Sequence, residues 1–193
     1  MSRLFYTIIF CVAILCGCNG RQQTAVPRPV AYPRVQLADT MFCTVESAAM
    51  LVDMLANRQT KEVVCKKQSN ALWVDLIYEI YNRAVLHITI QSLPSAELKS
   101  AIANRMQRIE MNVGASHTQL TELDNGIFEG IVVKAVEADV TPLQFLATDN
   151  KSLLVYGSFE MPSGSDDTEM VSPVVNAVEN DMIRMVNSLH YPQ

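Results

Sequence analysis

Two runs of alternating apolar and polar side chains, separated by one turn, constrain the fold of this chain more than any other feature. In the first run, from Ala71 to Ile80, apolar side chains recur at every second position, and the run from Leu86 to Gln91 repeats that period. Residues Tyr81 to Arg83 lie between the two runs. Because neighbouring side chains of a strand point to opposite faces, the pattern predicts a β-hairpin with one buried face.

Further strands are predicted where short apolar runs alternate with polar turns. These strands are Phe42–Ala49, Leu120–Leu123, Ile127–Val136, Leu143–Ala147 and Leu153–Phe159. The polar segments Asp124 to Gly126 and Asp149 to Ser152 have the composition of turns. Links of this length join antiparallel neighbours rather than parallel ones.

Two helices are predicted from apolar side chains that recur every three or four residues. Ser95 is expected to cap the first helix, which ends near Gly114. Ser172 is expected to cap the second helix, with Pro173 at its first helical position. The predicted fold is therefore α+β, with a mostly antiparallel sheet of about six to seven strands covered by two helices.

The N-terminal residues 1–17 have the pattern of a lipoprotein signal peptide. Arg3 supplies the positive charge, and the apolar segment from Leu4 to Leu15 is shorter than the roughly 20 residues that span a membrane. Leu15-Cys16-Gly17-Cys18 then forms a lipobox, in which the thiol of Cys18 receives diacylglycerol before cleavage. An uncleaved anchor, or a signal peptide cut elsewhere, is the alternative. Lipidation would anchor the mature chain to a membrane rather than make it span one.

Residues 18–37 are predicted to form a tether between the lipidated Cys18 and a single domain, residues 38–193. The segment contains Pro27, Pro29 and Pro33, and such a composition favours an extended polyproline II conformation. At roughly 3.1 Å per residue, the sixteen residues from Asn19 to Arg34 would reach on the order of 50 Å. The sequence thus predicts a domain held at some distance from the membrane surface.

The order of several motifs resembles the gliding-motility-associated lipoprotein GldD family. The resemblance starts in the tether, continues through a Cys in the first strand and a Trp that opens the hairpin, and ends in the last helix. Its segments are Pro27–Leu37, Cys43, Trp73, Ala84–Ile90, Gly130–Val132, Leu143–Asp149, Leu153–Phe159 and the helix of Pro173. The chain departs from the family in having Ala31 for Gly, Pro33 for Phe, and Cys65 eight positions before the Trp.

The resemblance implies a Bacteroidetes envelope lipoprotein associated with the gliding machinery and with type IX secretion. Its expected partners are the membrane, through the lipid on Cys18, and envelope proteins of that machinery. Surface-exported lipoproteins of this phylum carry acidic residues just after the lipidated Cys, whereas here the first acidic residue is Asp39. We therefore expect the domain to face the periplasm from the outer membrane. The family transfers no catalytic residue to this chain.

Charge and motif content argue against several functional classes. The net charge is −5 and no basic block is present, so we expect no nucleic-acid partner. The sequence contains no nucleophile elbow, phosphate-binding loop or dinucleotide fingerprint, and its three His residues do not pair at ligand spacing. We expect no catalytic residues, no cofactor and no metal. The acidic segment Ser163–Glu169 is interpreted as a solvated turn, with weak calcium binding as the less favoured alternative.

Two cysteines remain in the predicted domain, Cys43 and Cys65. An even pair in an exported protein favours a disulfide, which would stabilise the domain by roughly 3 kcal/mol on the chain-entropy model. Two unpaired thiols are the alternative, and the sequence does not decide between them.

Two further sites are candidates in or near the tether. Asp39-Thr40-Met41 matches a short Bacteroidetes O-glycosylation signal on Thr40, although a plain turn explains the same residues. Pro29, Tyr32 and Arg34 have side chains common at interfaces, and they are predicted either to bind a partner or to fasten the tether to its own domain.

The residues support hypotheses from three functional classes. The favoured hypothesis is a non-enzymatic accessory or scaffold lipoprotein that acts through protein contacts. The alternative is an envelope lipoprotein that binds a small ligand or a glycan in a cleft between sheet and helices. A hydrolase with a serine or histidine held by a carboxylate is the third hypothesis.

Overall fold

The computed structural model describes residues 41–45, 51–68, 70–114, 117–135, 141–161 and 168–192, and for residues 64–67 and 168–172 it describes the backbone alone. All of these residues belong to one compact unit, Pro33–Gln193. The elements in chain order are β1 (Phe42–Thr44), β2 (Leu55–Asn57), β3 (Thr60–Lys67), β4 (Ala71–Tyr78), β5 (Ala84–Ser92), α1 (Ser95–Val113), β6 (Thr118–Asp124), β7 (Glu129–Ala135), β8 (Leu143–Thr148), β9 (Leu153–Glu160) and α2 (Thr168–Asn187).

Seven of the strands form one antiparallel sheet in the order β3-β4-β5-β9-β8-β7-β6. Two meanders, β3 to β5 and β6 to β9, meet where β5 pairs with β9, and α1 connects them. The predicted α+β fold, with about six to seven antiparallel strands and two helices, is confirmed.

The predicted hairpin is β4 and β5, and its register brings Asp75 opposite His87. The first strand ends at Tyr78 rather than Ile80, because a short 3₁₀ helix, Glu79–Tyr81, starts the turn. Asn82 and Arg83 complete the turn with φ values of 55° and 63°. Asn visits this left-handed region readily, whereas Arg does so rarely, so the turn holds Arg83 in a strained conformation.

One face of the sheet is sealed by α2. The largest buried side chains on this side include Tyr78, Phe145 and Phe159, which pack with Val178 and Met182 of the helix. We call this side the α2 face. Because every second residue of β4, β5 and β9 contributes to it, the alternation of the sequence produces a continuous apolar layer.

A glycine on β9 makes room within this layer. Gly157 pairs with Phe145 of β8, and a Cβ added to it would lie 2.6 Å from the Phe145 ring and closer still to the carbonyl oxygen of His87. Any larger residue would therefore push the Phe145 ring or the β5 backbone out of place.

The opposite side, which we call the α1 face, is covered in part. Leu98, Ile109 and Val113 of α1 pack with Leu146 and Leu154 in a second, smaller core. Apart from the buried Ala71, the α1-side residues of β4 and β5 are only half-buried. The sheet therefore has one sealed face and one face that the helix covers incompletely.

The small sheet of β1 and β2 is fastened to the C-terminal half of α2 and to Ser188, which follows the helix. The Leu55 N–H donates to the Ser188 hydroxyl at 2.8 Å, and Asn57 Nδ2 donates to Asp181 Oδ2 at 3.1 Å. The Tyr78 hydroxyl donates to the same carboxylate oxygen at 3.3 Å. Burial raises the pKa of Asp181 to about 6, although the bonds from Asn57 and Tyr78 and the nearby Arg184 oppose that rise.

The strand predictions near the N-terminus were partly wrong. The strand predicted at Phe42–Ala49 is observed only over Phe42–Thr44, and residues 46–50 lie outside the described part. It pairs with β2 rather than with the main sheet. Neither β2 nor β3 was predicted from the sequence. β3 escaped notice because a bulge between Val64 and Lys66 and its charged residues interrupt the alternation on which strand prediction depends.

Both helix starts also differ from prediction. Ser95 is the first residue of α1 rather than its cap; Pro94 occupies the cap position, and the Ser95 hydroxyl donates to the Lys151 carbonyl oxygen at 2.9 Å. α2 begins at Thr168, so Pro173 lies inside the helix and Ser172 is not its cap. Because Pro lacks an N–H and loses one helical hydrogen bond, it was expected at the first position, but this helix accommodates it in the second turn.

Candidate interaction surface

The α1-side residues of β4 and β5 form a surface that we call the open face. Its principal members are Trp73, Asp75, His87 and Thr89, all of them half-buried. In register, Trp73 lies opposite Thr89, which lies opposite Tyr156 of β9. The three strands thus place an aromatic side chain on either side of a threonine, on a floor that the helix leaves accessible.

A cleft of about 210 Å³ lies where the open face meets α1. The sheet contributes Trp73, His87 and Tyr156 to its lining, and the helix contributes Arg105 and Arg108. The cleft therefore combines two aromatic rings with a wall of positive charge.

Arg105 is held in place on that wall. Its guanidinium group lies over the Tyr156 ring, 3.6 Å from the centroid, and its Nη2 donates to the Tyr156 hydroxyl. A cation above an aromatic face is attracted by the ring quadrupole. The stacking positions the planar donor group before any ligand or partner arrives.

A carboxylate–histidine–carboxylate row crosses the open face. His87 Nδ1 lies 2.7 Å from Asp75 Oδ1, and His87 Nε2 lies 3.2 Å from Glu160 Oε2. Ser158 lies opposite His87 on β9. A general base would use a ring nitrogen of His87 to accept the Ser158 hydroxyl proton. Both ring nitrogens instead contact carboxylates, those of Asp75 and Glu160.

A second depression lies on the other side of α1, and we call it the acidic groove. It has a volume of about 480 Å³ and an apolar floor formed by Ile102, Met106, Ile131 and Leu146. Its rim carries the carboxylates of Glu122, Asp124 and Glu129. The Asp124 Oδ1 accepts from the Gly126 N–H and Glu129 Oε2 accepts from Asn150 Nδ2, both at 2.8 Å. The two sides of α1 thus differ in charge.

Asp149, in the turn between β8 and β9, has a structural role. Its Oδ1 accepts from the N–H groups of Lys151, Ser152 and Leu153 at 2.8 to 2.9 Å, and its Oδ2 accepts from the Tyr191 hydroxyl at 2.8 Å. Burial alone would raise the pKa of this carboxyl, but the hydrogen bonds to Leu153, Lys151, Ser152 and Tyr191 together hold it below its usual value. The predicted turn is therefore built around a carboxylate.

Five sites predicted from sequence lie outside the described residues: Cys18, Pro29, Tyr32, Arg34 and Thr40. Lipidation, partner binding by the tether and O-glycosylation therefore stay predictions. Of the acidic segment Ser163–Glu169, the structure describes only the last two residues, as part of α2.

The predicted disulfide also stays a prediction. Cys43 is exposed on β1, while the side chain of Cys65 on β3 lies outside the described part. Within the described residues, no group of three or more His, Cys, Asp and Glu side chains is arranged to hold a metal ion.

The family of the chain follows from a match that covers nearly all of it. The sequence model of the family described as gliding motility lipoprotein GldD matches residues 22–191 of the 193 residues. The chain belongs to the GldD family. No curated protein matches the chain.

Membership in the GldD family makes the chain a gliding-motility lipoprotein, and lipoproteins are held at a membrane by their lipid. In the part of the chain that the structure describes, no helix has the length and apolar composition needed to cross a membrane. The residues on which the resemblance to the family was noted fall on both structural and surface positions: Asp149 organises a turn, whereas Trp73 and His87 line the cleft.

Part of the open face was within reach of sequence reasoning. Pairing outward from the turn predicted at Tyr81 to Arg83 would have placed Asp75 on the same face as His87 but opposite Thr89. The observed turn begins at Glu79, which shifts the register by two residues and brings Asp75 opposite His87. The contributions of Glu160 and Arg105 come from distant segments, and no local pattern indicates them.

Proposed function

We propose that this GldD-family lipoprotein is an accessory or scaffold subunit of the gliding and type IX secretion machinery. In this proposal the lipid on Cys18 anchors it in the outer membrane, its domain faces the periplasm, and it acts through protein contacts rather than catalysis. The observation that carries the proposal is the open face with its adjoining cleft. There Trp73 and Tyr156 lie on an incompletely covered part of the sheet, and Arg105 of α1 is pre-positioned beside them.

The residue types of the open face support a contact with protein. Trp, Tyr and Arg are enriched among the residues that contribute most to binding energy at interfaces. Because Arg105 is already stacked on Tyr156, it would lose little conformational freedom when a partner binds. A flat, half-buried floor beside a shallow cleft also suits a macromolecule better than a small molecule.

The position of the domain in the envelope has separate support from the sequence. The tether has no acidic residue before Asp39, unlike the export signal of surface lipoproteins described above. Its prolines favour an extended link that lets the domain reach a complex away from the membrane. Substituting Cys18→Ala should abolish lipid labelling and leave an uncleaved precursor; normal maturation of that variant would contradict the anchoring proposal.

Co-purification tests the contact directly. We expect Trp73→Ala and Arg105→Ala to keep fold and membrane attachment but to lose the envelope proteins that cross-link to the wild-type chain. Truncating such a side chain typically costs 2 kcal/mol or more at an interface, about a thirtyfold loss of affinity. Asn180→Ala, on the exposed side of α2, is the matched control and should retain every partner.

The tether candidates need their own variants. If Tyr32 and Arg34 contact the partner, Tyr32→Ala and Arg34→Ala should also reduce co-purification. Normal co-purification of all four variants, at Trp73, Arg105, Tyr32 and Arg34, would contradict the scaffold proposal. Loss of motility in His87→Ala with folding and partners intact would instead favour an enzyme.

Binding of a small ligand or a glycan is the second candidate, and the cleft is the observation that favours it. Trp73 offers a ring face, and Arg105 and Arg108 offer donors. The volume of about 210 Å³ is below the roughly 300 to 1,000 Å³ of typical ligand pockets, which places this candidate second. Saturable binding of a sugar fragment that Trp73→Ala abolishes would reverse that order.

A further inference from the structure

The two edge strands of the sheet differ in how they meet solvent. At one edge, β3 has a bulge between Val64 and Lys66, and its sequence also includes Lys61 and Lys67. Bulges and lysines are features by which proteins keep an edge strand from pairing with another chain. β3 therefore has the features of a protected edge.

The opposite edge, β6, has none of these features. It pairs with β7 without interruption from Thr118 to Asp124, and its sequence contains no Lys, Arg or Pro. Leu120 is 54% exposed. In the strand order of the described residues β6 is outermost, and no described strand pairs with its outer row of backbone N–H and C=O groups, which is the row that an added strand would use.

The acidic groove lies directly beside this edge. Leu120, Glu122 and Asp124 lie opposite Val133, Ile131 and Glu129 of β7, and they therefore share the α1 side of the sheet. A strand added to β6 would place its own α1-side residues next to those three side chains. Basic residues would be favoured beside the two carboxylates, and an aliphatic residue beside Leu120.

We propose that β6 binds an extended, basic segment of an envelope protein as an eighth strand of the sheet. Its Lys or Arg side chains lie over Glu122 and Asp124. Residues 38–193 contain 20 acidic and 11 basic side chains, so electrostatics favour a basic segment over a second copy of this domain. The proposal names a partner class for the contact function above but uses a surface separate from the open face.

The register dictates the sequence of a probe. In an added antiparallel strand, the first, third and fifth residues lie opposite Asp124, Glu122 and Leu120. From its N-terminus the strand therefore needs the order basic, any, basic, any, aliphatic. The peptide Lys-Thr-Lys-Thr-Ile-Thr-Val, labelled with a fluorophore, fulfils this order. Its anisotropy is measured with the full chain in detergent micelles, beside a peptide in which Glu replaces both Lys residues. We expect the basic peptide to bind at least tenfold more tightly and to weaken as salt rises.

Matched variants locate the binding site. The double variant Glu122→Gln with Asp124→Asn removes two charges from the rim with almost no change of shape. Glu97→Gln with Glu110→Gln removes two charges from exposed positions of α1 and serves as the control. We expect about a tenfold loss of affinity in the first and less than a twofold change in the second. The proposal would be overturned if the two double variants bound the basic peptide with equal affinity. It would also be overturned if the peptide did not bind the wild-type chain.

Hydrogen exchange separates strand addition from simple charge attraction. On binding, backbone amides within Thr118–Asp124 should exchange more slowly, because an added strand takes up their outer row. Unchanged exchange in β6 would overturn strand addition, and a peptide-free dimer that protects the same amides would assign the edge to a second copy. Trp73→Ala should leave peptide binding intact. The peptide experiment therefore tests strand addition at β6 separately from the open-face contact.

Discussion

The two faces of the sheet divide stability from interaction. The α2 face buries large side chains such as Phe145 and Phe159 completely, and Lys134 on that side is paired with Glu179 at 2.7 Å. The α1 face has a smaller core, a cleft walled by Arg105 and an acidic groove on the far side of the helix. A helix that covers one half of a sheet face leaves the other half to solvent or to a partner. The α2 face therefore holds the domain together, and the function proposed above assigns the partner contacts to the α1 face.

The largest effect should come from the sealed face. Phe159→Ala would leave a cavity in the α2-face core and should lower the free energy of unfolding by about 3 to 5 kcal/mol. Met106→Ala, at the half-buried floor of the acidic groove, should lower it by only about 1 kcal/mol. Urea unfolding of both variants measures the contrast. Equal losses would mean that the two faces do not differ in their share of stability.

The second-largest loss of stability should come from the turn between β8 and β9, where Asp149 lies. Asp149→Ala would leave the N–H groups of Lys151, Ser152 and Leu153 without their acceptor, which should cost about 2 to 3 kcal/mol. Because the pKa of Asp149 is lowered in the folded protein, its contribution is present at neutral pH and is lost as the pH falls through that pKa. Thermal unfolding should show a smaller difference in stability between the wild-type chain and Asp149→Ala at pH 3 than at pH 7. The same stability difference at both pH values would contradict a stabilising role for the ionised Asp149 carboxylate.

Much of this architecture was accessible from the sequence, for reasons that particular residues illustrate. The alternation around Leu72 to Tyr78 predicted a strand because one of its faces is sealed by α2. β3 was missed because an edge strand with a bulge need not alternate. The cleft could not be predicted, since Arg105 and Tyr156 are 51 positions apart and meet only when α1 packs on β9.

A pH effect of opposite sign is expected on the α2 face. The pKa of Asp181 in the folded protein is about 6, above its ordinary value of 3.8, so the folded state binds this proton more tightly than the unfolded state. The stabilisation is fully present below pH 3.8 and is lost as the pH rises through 6. Between pH 4 and 7 the wild-type chain should lose about 1 to 2 kcal/mol relative to Asp181→Asn, less than the full shift implies because the carboxyl retains contact with water. Parallel pH profiles of the two proteins would contradict this assignment.

The smallest effect on stability should come from the open face. Arg105→Ala removes a stacked surface pair and should change the free energy of unfolding by less than about 1 kcal/mol. The same variant should lose the envelope partner, so binding and stability would separate at this residue. A destabilisation as large as that of Phe159→Ala would instead make Arg105 a structural residue.

Site-specific photo-cross-linking in intact cells tests the division between the two faces most directly. A photoreactive residue replaces Thr89, on the open face, and in a second strain Asn180, on the exposed side of α2. We predict that the Thr89 position cross-links to a discrete envelope protein and that the Asn180 position does not. Cross-linking to that protein from Asn180 but not from Thr89 would contradict the account.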